Sequence, residues 1–200
     1  MTTVAIARYG AGNVRSVELA FRRLGAVVGG DVEDADVAVL PGVGSARTAM
    51  EGLRARGLDE ALRARVEAGR PVLGICLGLQ LALDATEEDG GVDGLGLLPG
   101  RAIRLRDGRV PRMGWAEVAG RGAFYFAHSY AAETPCATAW AEGIVAEARR
   151  GSFVGVQFHP EKSGPAGAHY LARLLTEWKQ LPIGQQLSSG NSYRMETVIK

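Results

Sequence analysis

Two hundred residues, 46% of them hydrophobic and 22% charged, suit one globular domain with a sizeable core. A formal net charge of +1 removes the electrostatic case for nucleic acid or an anionic membrane as partner, and no apolar run reaches the roughly 18 residues of a membrane span. The N-terminus lacks the basic start and long apolar run of a secretory leader, and Cys76 and Cys136 lie far apart without metal-ligand spacing, so a cytoplasmic protein is expected.

Thr3 to Ala7 reads as a first strand, followed by a Gly10-Ala11-Gly12 turn with Asn13 as N-cap. Val14, Val17, Phe21 and Leu24 repeat at helical spacing and stop at Gly25. Val37 to Leu40 is a second strand, and Ser45 caps a helix through Met50 and Leu53. Leu58 to Ala68 is helical, Pro71 to Ile75 a buried strand, and Leu77 to Asp84 another helix. Strands alternating with helices predict an α/β fold with a mostly parallel central sheet.

After Ala85 the texture changes. Glu87 to Gly100 reads as an acidic, glycine-rich loop. Short strands are expected over Ala102–Leu105, Trp115–Val118, Ala123–Ala127, Ala137–Ala141 and Ile144–Ala148. Asp107-Gly108 and Glu142-Gly143 between them predict antiparallel hairpins, hence a small antiparallel sheet. Phe153 to Phe158 is the last strong strand, and Pro165 to Lys179 a closing amphipathic helix. Residues 1–180 form the domain, and 181–200 a polar tail of weak pattern.

The stretch Gly74-Ile75-Cys76-Leu77-Gly78-Leu79-Gln80 carries the chemistry. A cysteine between a buried strand and a helix, with glycines two residues to either side, has the layout of a nucleophile elbow. A helix N-terminus favours thiolate over thiol. From this stretch alone a buried structural cysteine is as good a reading.

Val156-Gln157-Phe158-His159-Pro160-Glu161-Lys162 supplies a base. His159 follows an apolar strand, where parallel-sheet proteins place site residues. Pro160 favours an extended backbone at His159, which puts Glu161 on the same side. A carboxylate can then orient the imidazole that activates a thiol. On its own the pair reads as a surface histidine beside an unrelated glutamate, and His128 and His169 lack the spacing of further metal ligands. Acyl transfer also needs oxyanion donors. The Leu77 N–H is one, and Pro41-Gly42-Val43-Gly44, a strand-end loop that alone is a plain turn, offers the Val43 N–H as a second.

Taken together, Gly74–Gln80 and Val156–Glu161 resemble the two signatures of the class I, triad-type glutamine amidotransferases. Pro41–Gly44, Pro111-Arg112-Met113-Gly114-Trp115, Tyr125-Phe126-Ala127-His128-Ser129-Tyr130 and Val156–Ser163 are similar to the glutaminase subunits of imidazole glycerol phosphate synthases. Anthranilate and aminodeoxychorismate glutaminases typically carry Pro-Gly-Pro-Gly in the first loop. The resemblance covers about residues 3 to 178 and implies a flavodoxin-like three-layer fold. It makes Cys76 the nucleophile, His159 base and then acid, and Glu161 its orienter. Gly42, Gly44, Gln80, Ser129 and Tyr130 would hold the substrate glutamine. Asn13, Trp115 and Lys162 would lie near a (β/α)8-barrel cyclase/synthase subunit that takes the ammonia in a step of histidine biosynthesis. No metal or organic cofactor is implied.

Arg112 and Ala116 depart from the family's common histidine and asparagine. A stand-alone cysteine hydrolase of similar fold and a silent scaffold subunit are the competing readings. Gln80 and the Pro41–Gly44 loop argue against the first, and the intact Cys76, His159 and Glu161 against the second. Gly42 and Gly44 also predict a switch, in which the Val43 peptide turns its N–H to the oxyanion only when the partner is loaded.

Overall fold

The computed structural model describes residues 1–10 and 13–180; the tail from 181 to 200 and two residues of the first turn lie outside the described residues. Among the described residues thirteen strands and five α-helices follow in order. They are β1 (Thr3–Ile6), α1 (Val14–Arg23), β2 (Val27–Val28), β3 (Val37–Leu40), α2 (Ala46–Arg54), α3 (Leu58–Glu67), β4 (Val72–Ile75) and α4 (Leu77–Ala82). Then come β5 (Ala85–Thr86), β6 (Val92–Asp93), β7 (Arg101–Arg104), β8 (Arg112–Val118), β9 (Gly122–His128), β10 (Tyr130–Glu133), β11 (Ala137–Ala141), β12 (Ile144–Arg150), β13 (Phe153–Val156) and α5 (Gly164–Gln180).

The central sheet runs β11-β12-β13-β4-β3-β1-β2. Its five strands from β13 to β2 are parallel, and β12 and β11 extend it antiparallel. Alternation along each strand feeds two cores. Val4 and Ile6, Val37 and Val39, Leu73 and Ile75, Val154 and Val156 face one, with Phe21 of α1 and Leu171 and Leu174 of α5. Ala5, Ala38, Leu40, Val72 and Phe153 face the other, with Leu53, Leu62 and Leu79 of α2, α3 and α4. Strands buried on both faces are what apolar runs such as Val37–Leu40 require, and the result is the expected three-layer fold. Among the described residues no helix is long and apolar enough to cross a membrane.

Several expectations need correction. Asn13 stands at the N-cap of α1, but its side chain makes no capping bond; Ser45 does cap α2, accepting from the Thr48 N–H at 3.2 Å. The Glu87–Gly100 loop holds a 3-10 turn and the short β6, which joins β5, β7 and β10 in a four-stranded sheet. Two-residue strands such as β2, β5 and β6 carry too little sequence for a period of two to show. Asp107-Gly108 does not close a hairpin: β7 pairs with β10 and β5, and β8 pairs with β9. Glu142-Gly143 does, linking the paired Ala141 and Ile144 with φ of 48° and 83°, the positive pair that a type I′ turn needs. The Leu77–Asp84 helix ends at Ala82, and the Phe153–Phe158 strand at Val156.

Candidate active site

β1, β3, β4 and β13 are parallel neighbours, so the chain leaves all four at one edge. Tyr9, the Pro41–Gly44 loop, Cys76 and His159 follow these strands and converge there, the edge where open α/β sheets bind ligands.

Cys76 occupies the elbow at φ 54° and ψ −105°, a strained backbone for a residue with a side chain. The turn is tight because its glycines touch backbone. A Cβ on Gly78 would stand 2.0 Å from the Leu40 carbonyl oxygen, and one on Gly74 2.8 Å from the Gly78 oxygen. A Cβ on Gly42 would meet the Leu77 Cβ at 2.6 Å, so the first loop lies directly against the start of α4. Leu79 and Gln80 both donate to the Cys76 carbonyl, which leaves the Leu77 N–H unused inside the helix. Gly44 takes φ 94°, and Val43 is 38% exposed at the tip of that loop.

His159 and Glu161 are brought together as expected, by a different backbone. Pro160–Lys162 is a 3-10 turn, not a continued strand, and it folds the carboxylate back so that His159 Nδ1 lies 2.9 Å from Glu161 Oε1. Both side chains are 2% exposed, and Glu161 Oε2 has no partner among the described residues. With Nδ1 so engaged, Nε2 is the ring nitrogen left free of that bond. Burial pulls the imidazole's proton affinity down, but the bonds and charges of Cys76 and Glu161 outweigh it, lifting the pKa from 6.5 to about 9. The folded ring therefore holds its proton more tightly than an unfolded one. This adds stability fully below about 6.5, and the gain is lost as pH rises through about 9.

The β8–β9 ribbon fixes both reacting groups. The Tyr125 carbonyl accepts from the His159 N–H at 2.9 Å, and the Tyr125 N–H donates to Ser163 Oγ at 3.0 Å. Ser163 Oγ in turn donates to the His159 carbonyl at 2.7 Å. The Cys76 thiol points at the Ala127 carbonyl, 3.8 Å away. Across the ribbon, Met113 pairs with Ala127 and Trp115 with Tyr125. Met113 and Trp115 are 65% and 59% exposed, so the residues opposite the site's two anchors form an apolar outer face. Lys162 is also exposed, and Asn13 is half-buried. Ala116 is core, and Arg112 straps the ribbon down, lying 5.1 Å over the Phe126 ring and bonding Glu142 at 2.6 Å.

Ser129 and Tyr130 follow β9 and are half-buried. The Gln80 side chain is already held: its Nε2 donates to the Tyr130 carbonyl at 2.8 Å and to Gln157 Oε1 at 3.2 Å. Two further residues, unmarked by any sequence pattern, stand at the site. Tyr9 is buried and donates to the Pro41 carbonyl at 2.7 Å, anchoring the first loop; burial first, then the nearby Cys76, pushes its hydroxyl's pKa well up. Gln157 is wholly buried, with Nε2 3.6 Å from Cys76 Sγ. Its place beside the histidine motif was visible, but a glutamine inside an apolar run carries no signal of what it bonds. His128 donates through Nδ1 to the Tyr130 carbonyl at 2.9 Å, and burial first lowers its pKa to about 4, so it is neutral.

A cysteine on a strained elbow, an imidazole held by a buried carboxylate at the same sheet edge, and a glycine-built loop against the start of α4 form a site suited to covalent acyl transfer. The family model for class-I glutamine amidotransferases matches residues 26–178, and the chain belongs to that family. It is 43% identical over 205 residues to the imidazole glycerol phosphate synthase subunit HisH of Symbiobacterium thermophilum, covering 90% of this chain and 95% of that protein. It is 39% identical over 223 residues to imidazole glycerol phosphate synthase hisHF, chloroplastic, of Arabidopsis thaliana, covering 97% of this chain and 37% of that longer protein. Among solved structures, a crystal structure of a glutamine amidotransferase superposes with a TM-score of 0.69 at 23% identity, covering 87% of this chain and 98% of the other.

Proposed function

We propose that the chain is the glutaminase subunit of an imidazole glycerol phosphate synthase. The observation that carries the chemistry is geometric: Cys76 on its strained elbow and, at the same sheet edge, His159 with Nδ1 held 2.9 Å from Glu161 Oε1. His159 takes the proton of the Cys76 thiol, which makes the sulfur the nucleophile. Cys76 Sγ attacks the side-chain amide carbon of glutamine, and the developing oxyanion takes the N–H of Leu77 and, with the loop turned, of Val43. The C–N bond breaks as His159 gives its Nε2 proton to the departing ammonia, leaving a γ-glutamyl thioester. Water then attacks the thioester, His159 takes a proton from it, and the C–S bond breaks to release glutamate and restore the pair. Gly42, Gly44, Ser129 and Tyr130 surround the substrate, and Gln80 contributes through its orientation of the pocket. Two free cysteines suit a reducing cytoplasm.

The partner is a cyclase/synthase subunit of (β/α)8-barrel form, which takes the ammonia. It docks on the apolar outer face of the ribbon, with Trp115 and Met113 at its centre and Asn13 and Lys162 at its edge. The plant relative, of which this chain spans 37%, supports a second unit working beside it. The 95% coverage of a HisH protein favours this assignment over an anthranilate-type glutaminase. Reconstitution tests it. With the cyclase subunit the chain should convert glutamine and the ribulose-phosphate-linked aminoimidazole carboxamide precursor to imidazole glycerol phosphate. Trp115→Ala should weaken partner affinity by roughly 2 kcal/mol, about thirtyfold, the cost typical of a central aromatic anchor. No product with the cyclase, or product only with a chorismate-using partner, would refute the proposal.

A further inference from the structure

A chain of side-chain amides runs from a backbone carbonyl to the nucleophile, and its polarity is fixed at one end. The Tyr130 carbonyl can only accept, so the Gln80 group 2.8 Å from it must be NH2. The second N–H of that NH2 faces Gln157 at 3.2 Å, so the Gln157 atom there must be the oxygen. The other end of the Gln157 amide is then its NH2, and it lies 3.6 Å from Cys76 Sγ. Gln157 is wholly buried and Gln80 is 4% exposed, so water does not compete for these bonds. Resting on the reading of Cys76 as the glutaminase nucleophile, we propose that Gln157 is a catalytic residue that donates an N–H to the Cys76 thiolate, and that Gln80 is the positioning residue that locks its amide in the donating orientation.

The consequence is a contact on sulfur that selects its charge state. An N–H donor favours S⁻, whereas the Ala127 carbonyl at 3.8 Å can bond only the protonated thiol. When the thioester forms, the sulfur loses its charge and the Gln157 bond weakens. The contact therefore stabilises the resting nucleophile and bears little on substrate affinity. Gln80 thereby has a role that requires no contact with substrate through its NH2.

The test is the pH profile of Cys76 alkylation by iodoacetamide in the full chain, followed by peptide mass spectrometry with Cys136 as internal reference. Gln157→Met keeps the length and removes the donor. Its profile should move to higher pH, with alkylation of Cys76 about tenfold slower at neutral pH. Glutamine turnover by the cyclase complex should fall in kcat with KM little changed. Gln80→Met leaves the Gln157 amide free to turn over and should give a smaller shift of the same sign. It carries the test should Gln157→Met fail to fold. An unshifted profile in folded Gln157→Met overturns the donor role, and one in Gln80→Met overturns the lock. Undiminished glutaminase activity after complete alkylation of the unchanged chain would instead defeat the reading of Cys76 itself.

Discussion

Cys76→Ala in the reconstituted complex abolishes glutamine-dependent synthesis and leaves synthesis from added ammonia intact. The expected loss exceeds about a thousandfold, because no other group at the site can form the thioester and the remaining donors act only on bound substrate. Ammonia-dependent turnover survives because the partner performs that chemistry. The same variant has a second readout. One of the two contacts that lift the His159 pKa to about 9 is gone, while the burial that lowers it stays. An NMR titration should find the imidazole releasing its proton at lower pH than in the unchanged chain. The stability that the ring contributes, lost as pH rises through its folded-state pKa, should fade correspondingly earlier.

Gly78→Ala carries the second large effect. Inside a helix alanine is ordinarily better than glycine by about 1 kcal/mol. Here its Cβ would stand 2.0 Å from the Leu40 carbonyl oxygen and 3.0 Å from the Leu40 carbonyl carbon. α4 cannot yield without moving the elbow it starts from, and β3 cannot without disturbing its pairing with β4, the strand that leads into that elbow. We expect a stability loss of about 3 kcal/mol or more, roughly 6–12 °C in Tm for a chain of this size. Displacing Sγ by even about 1 Å should cost roughly a hundredfold in glutamine turnover. Gly120→Ala is the contrast: φ is 71° there, but the space is open. Only the cost of a left-handed alanine, about 1 kcal/mol, should appear, with turnover unchanged. Differential scanning calorimetry and a glutaminase assay on both variants separate the two cases.

How much of this was legible depends on the length over which each cause acts. The buried parallel strands were readable because Val37–Leu40 and Val72–Ile75 are apolar throughout, and the helices because Val17 and Phe21, or Leu171, Leu174 and Leu175, recur on one face. The elbow was readable from glycine spacing, since Gly74 and Gly78 are small for reasons local to the turn. The His159–Glu161 contact was anticipated with the wrong backbone, because the i,i+2 relation serves a strand and a tight 3-10 turn alike. What escaped was non-local. The bond from Tyr9 to Pro41 spans 32 residues, that from Gln157 to Cys76 spans 81, and the register of Trp115 on Tyr125 is set by the ribbon's turn. No periodicity marks such pairs, because they depend on which strands become neighbours in the sheet.

The most direct measurement is rapid-quench mass spectrometry of the wild-type complex during turnover of glutamine. A mass increase of one γ-glutamyl group on the peptide carrying Cys76, forming and decaying at the rate of glutamate release, is the predicted result. Full turnover with no adduct on that peptide, or with the adduct on another residue, would contradict the account.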